Sequence, residues 1–220
     1  MGILRVLDPI ARSLSCEYFL TGATARDFIL VNVHGLVPGR VTRDIDFGIA
    51  VESWAQFERL REGLIATKRF SESRAYQRLM YTDSGESYSI PVDLIPFRGV
   101  ASESGMIAWP PSGDIVMNVG GFEEALASAV VSEMEEGLTV HVASVAGLTL
   151  LKLTAWADRG RETNKDAADI YRLLTSYGEA GNSDRLYDDV NLLGASGFDL
   201  RLAGAELLGQ RGCWVDFTGD

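Results

Sequence analysis

The chain has 220 residues, 46% of them hydrophobic and 23% charged, with a formal net charge of −11. That length suffices for one full core, with or without an appended lobe, and no apolar run is long enough to span a bilayer. The acid excess removes the broad electrostatic footprint of a general nucleic-acid binder. Two distant cysteines, Cys16 and Cys213, make neither a disulfide framework nor a metal motif, which fits a reducing cytoplasmic compartment.

Met1 to Leu14 carries Arg5, Asp8 and Arg12 among apolar residues at helical spacing, which predicts an amphipathic helix rather than a signal peptide. Glu17 to Leu20 reads as a short strand ending at Thr21-Gly22, and Ala23 to Val33 as a helix. A turn through His34-Gly35 and a loop around Gly35–Arg40, containing Pro38-Gly39, lead to a strand over Asp44 to Ala50. Ser53 is placed to cap a helix over Trp54 to Ala66. Tyr76 to Thr82 and the strand around Asp93 are expected to pair antiparallel across a turn at Asp83-Ser84-Gly85-Glu86. Pro91 cannot donate to a ladder, so it belongs near a strand start or on an unpaired edge.

Residues 100–113, rich in Gly, Ser and Pro, read as irregular. A helix is expected over Phe122 to Ser132 and a strand over Leu138 to Val142. Ser144 caps a helix to Arg159, Asn164 caps another to Tyr177, and weaker helical segments run from Asp184 to about Gly209. Strands followed by helices predict an α+β core over 1–142 with a helical C-terminal lobe over 143–220.

Three aspartates carry the chemistry. In Thr42-Arg43-Asp44-Ile45-Asp46-Phe47 the two acids project from one strand face while Ile45, Phe47 and Ile49 take the buried one. Asp93 opposes Val92 and Leu94 in the same way. If the two strands are neighbours, three carboxylates meet on one surface, and such anions are stable together only around a cation. All-oxygen ligation suits a hard divalent ion such as Mg²⁺.

The turn Thr21-Gly22-Ala23-Thr24 joins a strand to a helix. Glycine there permits close backbone approach to a ligand, and free amides at a helix start attract phosphate; an ordinary strand–helix turn is the alternative. A basic stretch, Arg59, Arg61, Lys68, Arg69, Arg74 and Arg78, reads either as a local basic patch for nucleic acid or, the commoner case, as a solvated helix and loop. His34 and His141 are isolated from any ligand or nucleophile spacing, and no Walker-type loop occurs.

Gly22-Ala23, Asp44-Ile45-Asp46-Phe47 and Asp93, in that order, resemble the signature of the polymerase β-like nucleotidyltransferase superfamily. Within it, Gly22-Ala23-Thr24-Ala25 and Thr42 to Phe47 are most similar to the abortive-infection toxin (AbiEii) group. Ala23 stands where Gly or Ser is usual, and the spacer to Asp44 is longer than in compact members. Lys152, Arg159 and Lys165-Asp166 match the group's helical motifs, so the resemblance covers roughly residues 17–177. Lys152 and Arg159 lie seven apart beside the stripe of Leu148, Leu151 and Ala155. Asp166 is in register with Ile170, Leu173 and Tyr177, and an inward carboxylate needs a partner, either Lys152 or a nucleotide group.

The resemblance implies a mixed, mostly antiparallel sheet flanked by helices. It also implies two-metal transfer of an NMP from an NTP to an acceptor hydroxyl, with release of pyrophosphate. Asp44 and Asp46 would hold both Mg²⁺ ions and Asp93 one of them. Gly22, Ala23 and Thr24 would cradle the triphosphate, with Lys152 and Arg43 neutralising it and Asp166 nearby. The acceptor is an RNA end or a protein, as in toxin-like relatives, with an antitoxin as a further partner. An aminoglycoside-type antibiotic transferase and a catalytically silent nucleotide-binding module are the alternatives.

Overall fold

The computed structural model describes residues 2–39, 42–83 and 85–212. Met1, Arg40, Ser84 and Cys213, named above, lie outside the described residues. The first helix, α1, runs over Gly2–Ser13 and buries Ile3, Leu4, Leu7 and Ala11. Strand β1 (Glu17–Thr21) leads through Gly22 into α2 (Gly22–Asp27). The helix expected to Val33 continues, but with π-type bonding over Phe28–Val33, as in the His34 N–H to Ile29 carbonyl bond of 3.2 Å. Ile29 and Leu30, adjacent in sequence, are both buried in this wider turn.

Next come β2 (Ile45–Val51), α3 (Trp54–Ala66), β3 (Phe70–Glu72), β4 (Arg78–Tyr81) and β5 (Ile90–Arg98). Ser53 caps α3 as expected, its hydroxyl accepting from the Gln56 N–H. β4 and β5 pair antiparallel, and Pro91 is the second residue of its strand. β3 is a short strand not expected from the sequence; it pairs antiparallel with β4.

Two expectations are corrected in the middle of the chain. The stretch 100–113 is not wholly irregular: β6 (Met106–Ala108) pairs with β7 (Val116–Asn118) as a separate two-stranded sheet. The helix expected over 122–132 stops early: α4 spans Phe122–Ala127, and β8 (Val130–Glu135) follows. β-branched Val130 and Val131 pair instead with Val142 and His141 of β9 (Leu138–Val142). Ladder pairing outweighs the helix propensity of the preceding Glu123 to Ala129 segment.

The C-terminal helices are α5 (Val145–Arg159), α6 (Lys165–Ser176), α7 (Ser183–Asp188), α8 (Val190–Ala195) and α9 (Leu200–Gly212). Ser144 caps α5 by accepting from the Gly147 N–H. Asn164 occupies the N-cap of α6 without a side-chain cap bond; the Thr163 hydroxyl accepts from the Lys165 N–H at 3.3 Å.

The main sheet has seven strands in the order β3-β4-β5-β2-β1-β9-β8. Four of its six neighbouring pairs are antiparallel, while β2–β5 and β1–β9 are parallel. Mixed α/β architecture with a mostly antiparallel sheet is therefore the fold. Alternation divides the central strands as predicted. Phe47, Ile49, Val92 and Leu94 lie on one face, all at most 1% exposed. Asp46, Gly48, Asp93 and Ile95 alternate with them. On this second face a Cβ at Gly48 would fall 2.3 Å from the Phe19 ring, so only glycine lets that ring cross the strand. Phe19, Phe97 and Phe122 form an edge-packed aromatic cluster there. It is the floor on which α4 and α5 close over the acids.

Candidate active site

β2 and β5 run parallel with Asp46 directly opposite Asp93. Asp44, immediately before β2, completes the group: each of the three acids offers a carboxylate oxygen, and these oxygens all lie within 4.8 Å of one another. The expectation that the strands are neighbours therefore holds. Burial, then the charges of Asp93 and Asp44, push the Asp46 carboxyl from its ordinary 3.8 up to about 7, against the pull of Lys152 and Arg78. Such crowding is what a bound divalent cation relieves, so the residues fit a metal.

A raised carboxyl pKa means the folded chain keeps a proton that the unfolded chain loses between about pH 4 and 7. This group's contribution therefore falls as pH rises through that window. In chelator, Asp46→Asn should be stabilised relative to wild type increasingly across the same window. Thermal unfolding of both proteins over that range checks it; a gap that does not widen rules out the raised pKa.

Gly22 has φ +67°, and a Cβ there would fall 2.0 Å from Asp46 Oδ2. The glycine is needed twice over, for its left-handed backbone and for the approach of the acid. Gly22→Ala should cost about 1–2 kcal/mol of backbone strain and displace Asp46. The expected result is a lowered Tm together with weakened Mn²⁺ binding. Unchanged values for both would show that the close approach has no consequence.

The other expected site residues divide into two groups. Gly22, Asp46, Asp93 and Lys152 line one cleft, between the acid-bearing face of the sheet and α5, together with Arg159. Thr24, Arg43 and Asp44 border a second depression with Tyr88. Thr24 donates its hydroxyl proton to the Asp44 carbonyl at 3.0 Å, fixing the backbone ahead of β2. Arg43 is exposed, and Ala23 is buried in the first turn of α2.

Asp166, 1% exposed, finds the partner its inward position demands. Lys152 Nζ donates to it at 3.0 Å, and Arg159 donates through Nε at 2.7 Å and Nη2 at 3.1 Å. Burial alone would raise this carboxyl, but the bonds from Arg159 and Lys152 outweigh it and hold it below the ordinary range. Lys152 also contacts Asp169 at 2.8 Å, and Asp169 in turn pairs with Arg26. A buried ionic chain thus runs from the cleft to α2, with Lys152 held between two acids.

The profile of the family described as "Nucleotidyl transferase AbiEii toxin, Type IV TA system" matches residues 5–211. The chain belongs to this family. It is accordingly a nucleotidyltransferase, an enzyme moving an NMP from an NTP to an acceptor with release of pyrophosphate. No curated protein matches the chain.

Among solved structures, an antigenic nucleotidyltransferase-like protein from Paracoccidioides brasiliensis is similar at 16% identity and TM-score 0.49, over 92% of this chain and 91% of that one. The antibiotic-resistance factor ANT(2″)-Ia in solution is similar at 17% identity and TM-score 0.41, over 96% and 92%. The crystal structure of ANT(2″)-Ia with adenylyl-2″-tobramycin gives 16% and 0.42, over 96% and 97%. At such identities and scores these likenesses carry no weight for substrate. Among the described residues, no helix is long and apolar enough to cross a membrane.

In this AbiEii-family chain three of the six residues of the basic stretch, Arg61, Arg69 and Arg78, engage neighbouring side chains. Arg61 is buried over the Tyr76 ring, and Arg69 pairs with Tyr81 and Asp83. Arg78 reaches the acids, and its role was missed in the sequence; a cross-strand pair with Asp93 is invisible until the β4–β5 register is known. Asp169 was also missed. Its spacing of three from Asp166 places both on one helical face, and that was the available signal.

Proposed function

We propose that this chain catalyses Mg²⁺-dependent nucleotidyl transfer at the cleft below α5, with Asp44, Asp46 and Asp93 as the metal-holding catalytic acids. The observation that carries this is the Asp46–Asp93 register on parallel neighbours with Asp44 in reach. Asp44 and Asp46 would hold two ions and Asp93 one of them. Magnesium bound there would stabilise the entering and leaving oxygens of an in-line displacement.

In the reaction the acceptor hydroxyl oxygen bonds to the α-phosphorus while the bond to the β-phosphate bridging oxygen breaks. Pyrophosphate leaves and the hydroxyl proton is released. Gly22 opens the turn against which the phosphates lie, with Ala23 and Thr24 supplying the following amides. Lys152 and Arg159 place positive charge on the cleft wall, and Asp166 orients both. Arg43, at the second depression, neutralises the far side. In this reading residues 1–142 carry the acids, and the helical lobe over 143–220 closes the nucleotide side.

The acceptor is an RNA end or a protein, as befits a toxin acting in the cytoplasm and restrained by an antitoxin. The net charge of −11 favours a cationic small molecule as the second reading. Incubation with labelled NTPs, Mg²⁺, total tRNA, the soluble protein of a cell extract and an aminoglycoside panel separates them. Label in RNA alone removes the antibiotic reading, label in an aminoglycoside alone removes the toxin-like one, and Mg²⁺-dependent NTP binding with no transfer to any acceptor would show a silent module.

A further inference from the structure

Arg78 is the arginine that contacts the acids among the described residues. Its place comes from rigid scaffold: β4 lies beside β5, and Arg78 stands directly opposite Asp93 in the ladder. Nε donates to Asp93 Oδ1 and Nη2 to Oδ2, each at 2.7 Å. Two parallel bonds from a planar fork fix the plane of a carboxylate as a single ammonium cannot. Each oxygen retains a second lone pair for another partner. The same Nη2 stands 3.8 Å from Asp44 Oδ2, so one guanidinium spans two of the three acids. Its side chain is 34% exposed, while Leu79 and Tyr81 of the same strand are buried and anchor β4 without it.

We propose that Arg78 is a positioning residue of the transfer site: it fixes the Asp93 carboxylate and, by sharing its charge, weakens cation binding at the acids. This rests on the reading of Asp44, Asp46 and Asp93 as metal ligands. A fixed positive charge 2.7 Å from the Asp93 carboxylate and 3.8 Å from that of Asp44 opposes the binding of a cation by those acids. The plane it imposes on Asp93 sets which lone pairs face the site. Loss of the guanidinium therefore tightens metal binding and disorders Asp93 at once, a combination that loss of a merely structural ion pair does not produce.

The test uses the full chain and Mn²⁺ as the probe, with free and bound Mn²⁺ distinguished by electron paramagnetic resonance without nucleotide. Arg78→Gln should bind Mn²⁺ about tenfold more tightly than wild type. Arg78→Lys keeps the charge but not the fork. It should return to near wild-type affinity while the bound-Mn²⁺ spectrum stays altered. Unchanged or weaker binding by Arg78→Gln overturns the proposal, as does a wild-type spectrum for Arg78→Lys. Asp46→Asn is the control for the underlying reading: if it binds Mn²⁺ as wild type does, the acids are not the metal site, whatever the Arg78 variants do.

Discussion

Asp46→Asn is expected to lower NMP transfer by at least about a thousandfold, roughly 4 kcal/mol of barrier, while the chain stays folded. The substitution keeps the size of the side chain and removes one charge from the centre of the group. Asp46 faces Asp93 across the parallel ladder and lies against the Gly22 turn, and both of these neighbours line the same cleft. Because its carboxyl is pushed up to about 7, neutralising it relieves repulsion in the metal-free protein. Activity and metal-free stability should therefore move in opposite directions. Labelled-NTP transfer and thermal unfolding in chelator measure the two. Transfer at the wild-type rate would end the assignment, and a destabilised variant would show the acid to be structural.

Asp166→Ala should cost more stability than Gly22→Ala or any substitution within the acid cluster. The carboxylate is 1% exposed and accepts from both Lys152 and Arg159. Its removal leaves the partly buried Lys152 and the half-exposed Arg159 without this partner, at a cost of about 3 kcal/mol. The lower part of the usual range applies because Lys152 keeps Asp169 and Arg159 is half exposed. For a chain of this size the shift in Tm is roughly 6–12 °C. The sign of the pH dependence follows from the depressed pKa. The stabilisation is fully present above the unfolded carboxyl range and disappears as pH falls through the folded value. The gap between wild type and Asp166→Ala should thus close below about pH 4. A gap that persists in acid would mean that packing, not the ionic network, is what the variant loses.

Local signals carried much of the architecture. Ser53 and Ser144 cap their helices through the hydroxyl contacts their sequence positions predict. Alternation alone assigned Asp46 and Asp93 to the face opposite Phe47 and Leu94. The failures occurred where a local preference competed with a partner distant in sequence. Glu123 to Ala129 is good helix material, yet Val130 and Val131 are drawn into the ladder with β9, whose position depends on β1. The β6–β7 hairpin is built from three-residue strands in a Gly- and Pro-punctuated stretch, too short for a period-two pattern to register.

Covalent spacing and backbone periodicity are local, and they suffice to set the kinds of group available. Two acids on alternating positions with a third alone in a later strand, a glycine at a strand end, and a lysine and an arginine seven apart on one helix all follow from them. Long-range packing is what brings β5 beside β2, puts Asp46 and Asp93 in register, and joins Arg78 to them from β4. It likewise holds Lys152 between Asp166 and Asp169 rather than leaving it extended freely into the cleft. Strand order and register arise from burying the whole apolar face at once, a collective choice that no single segment encodes.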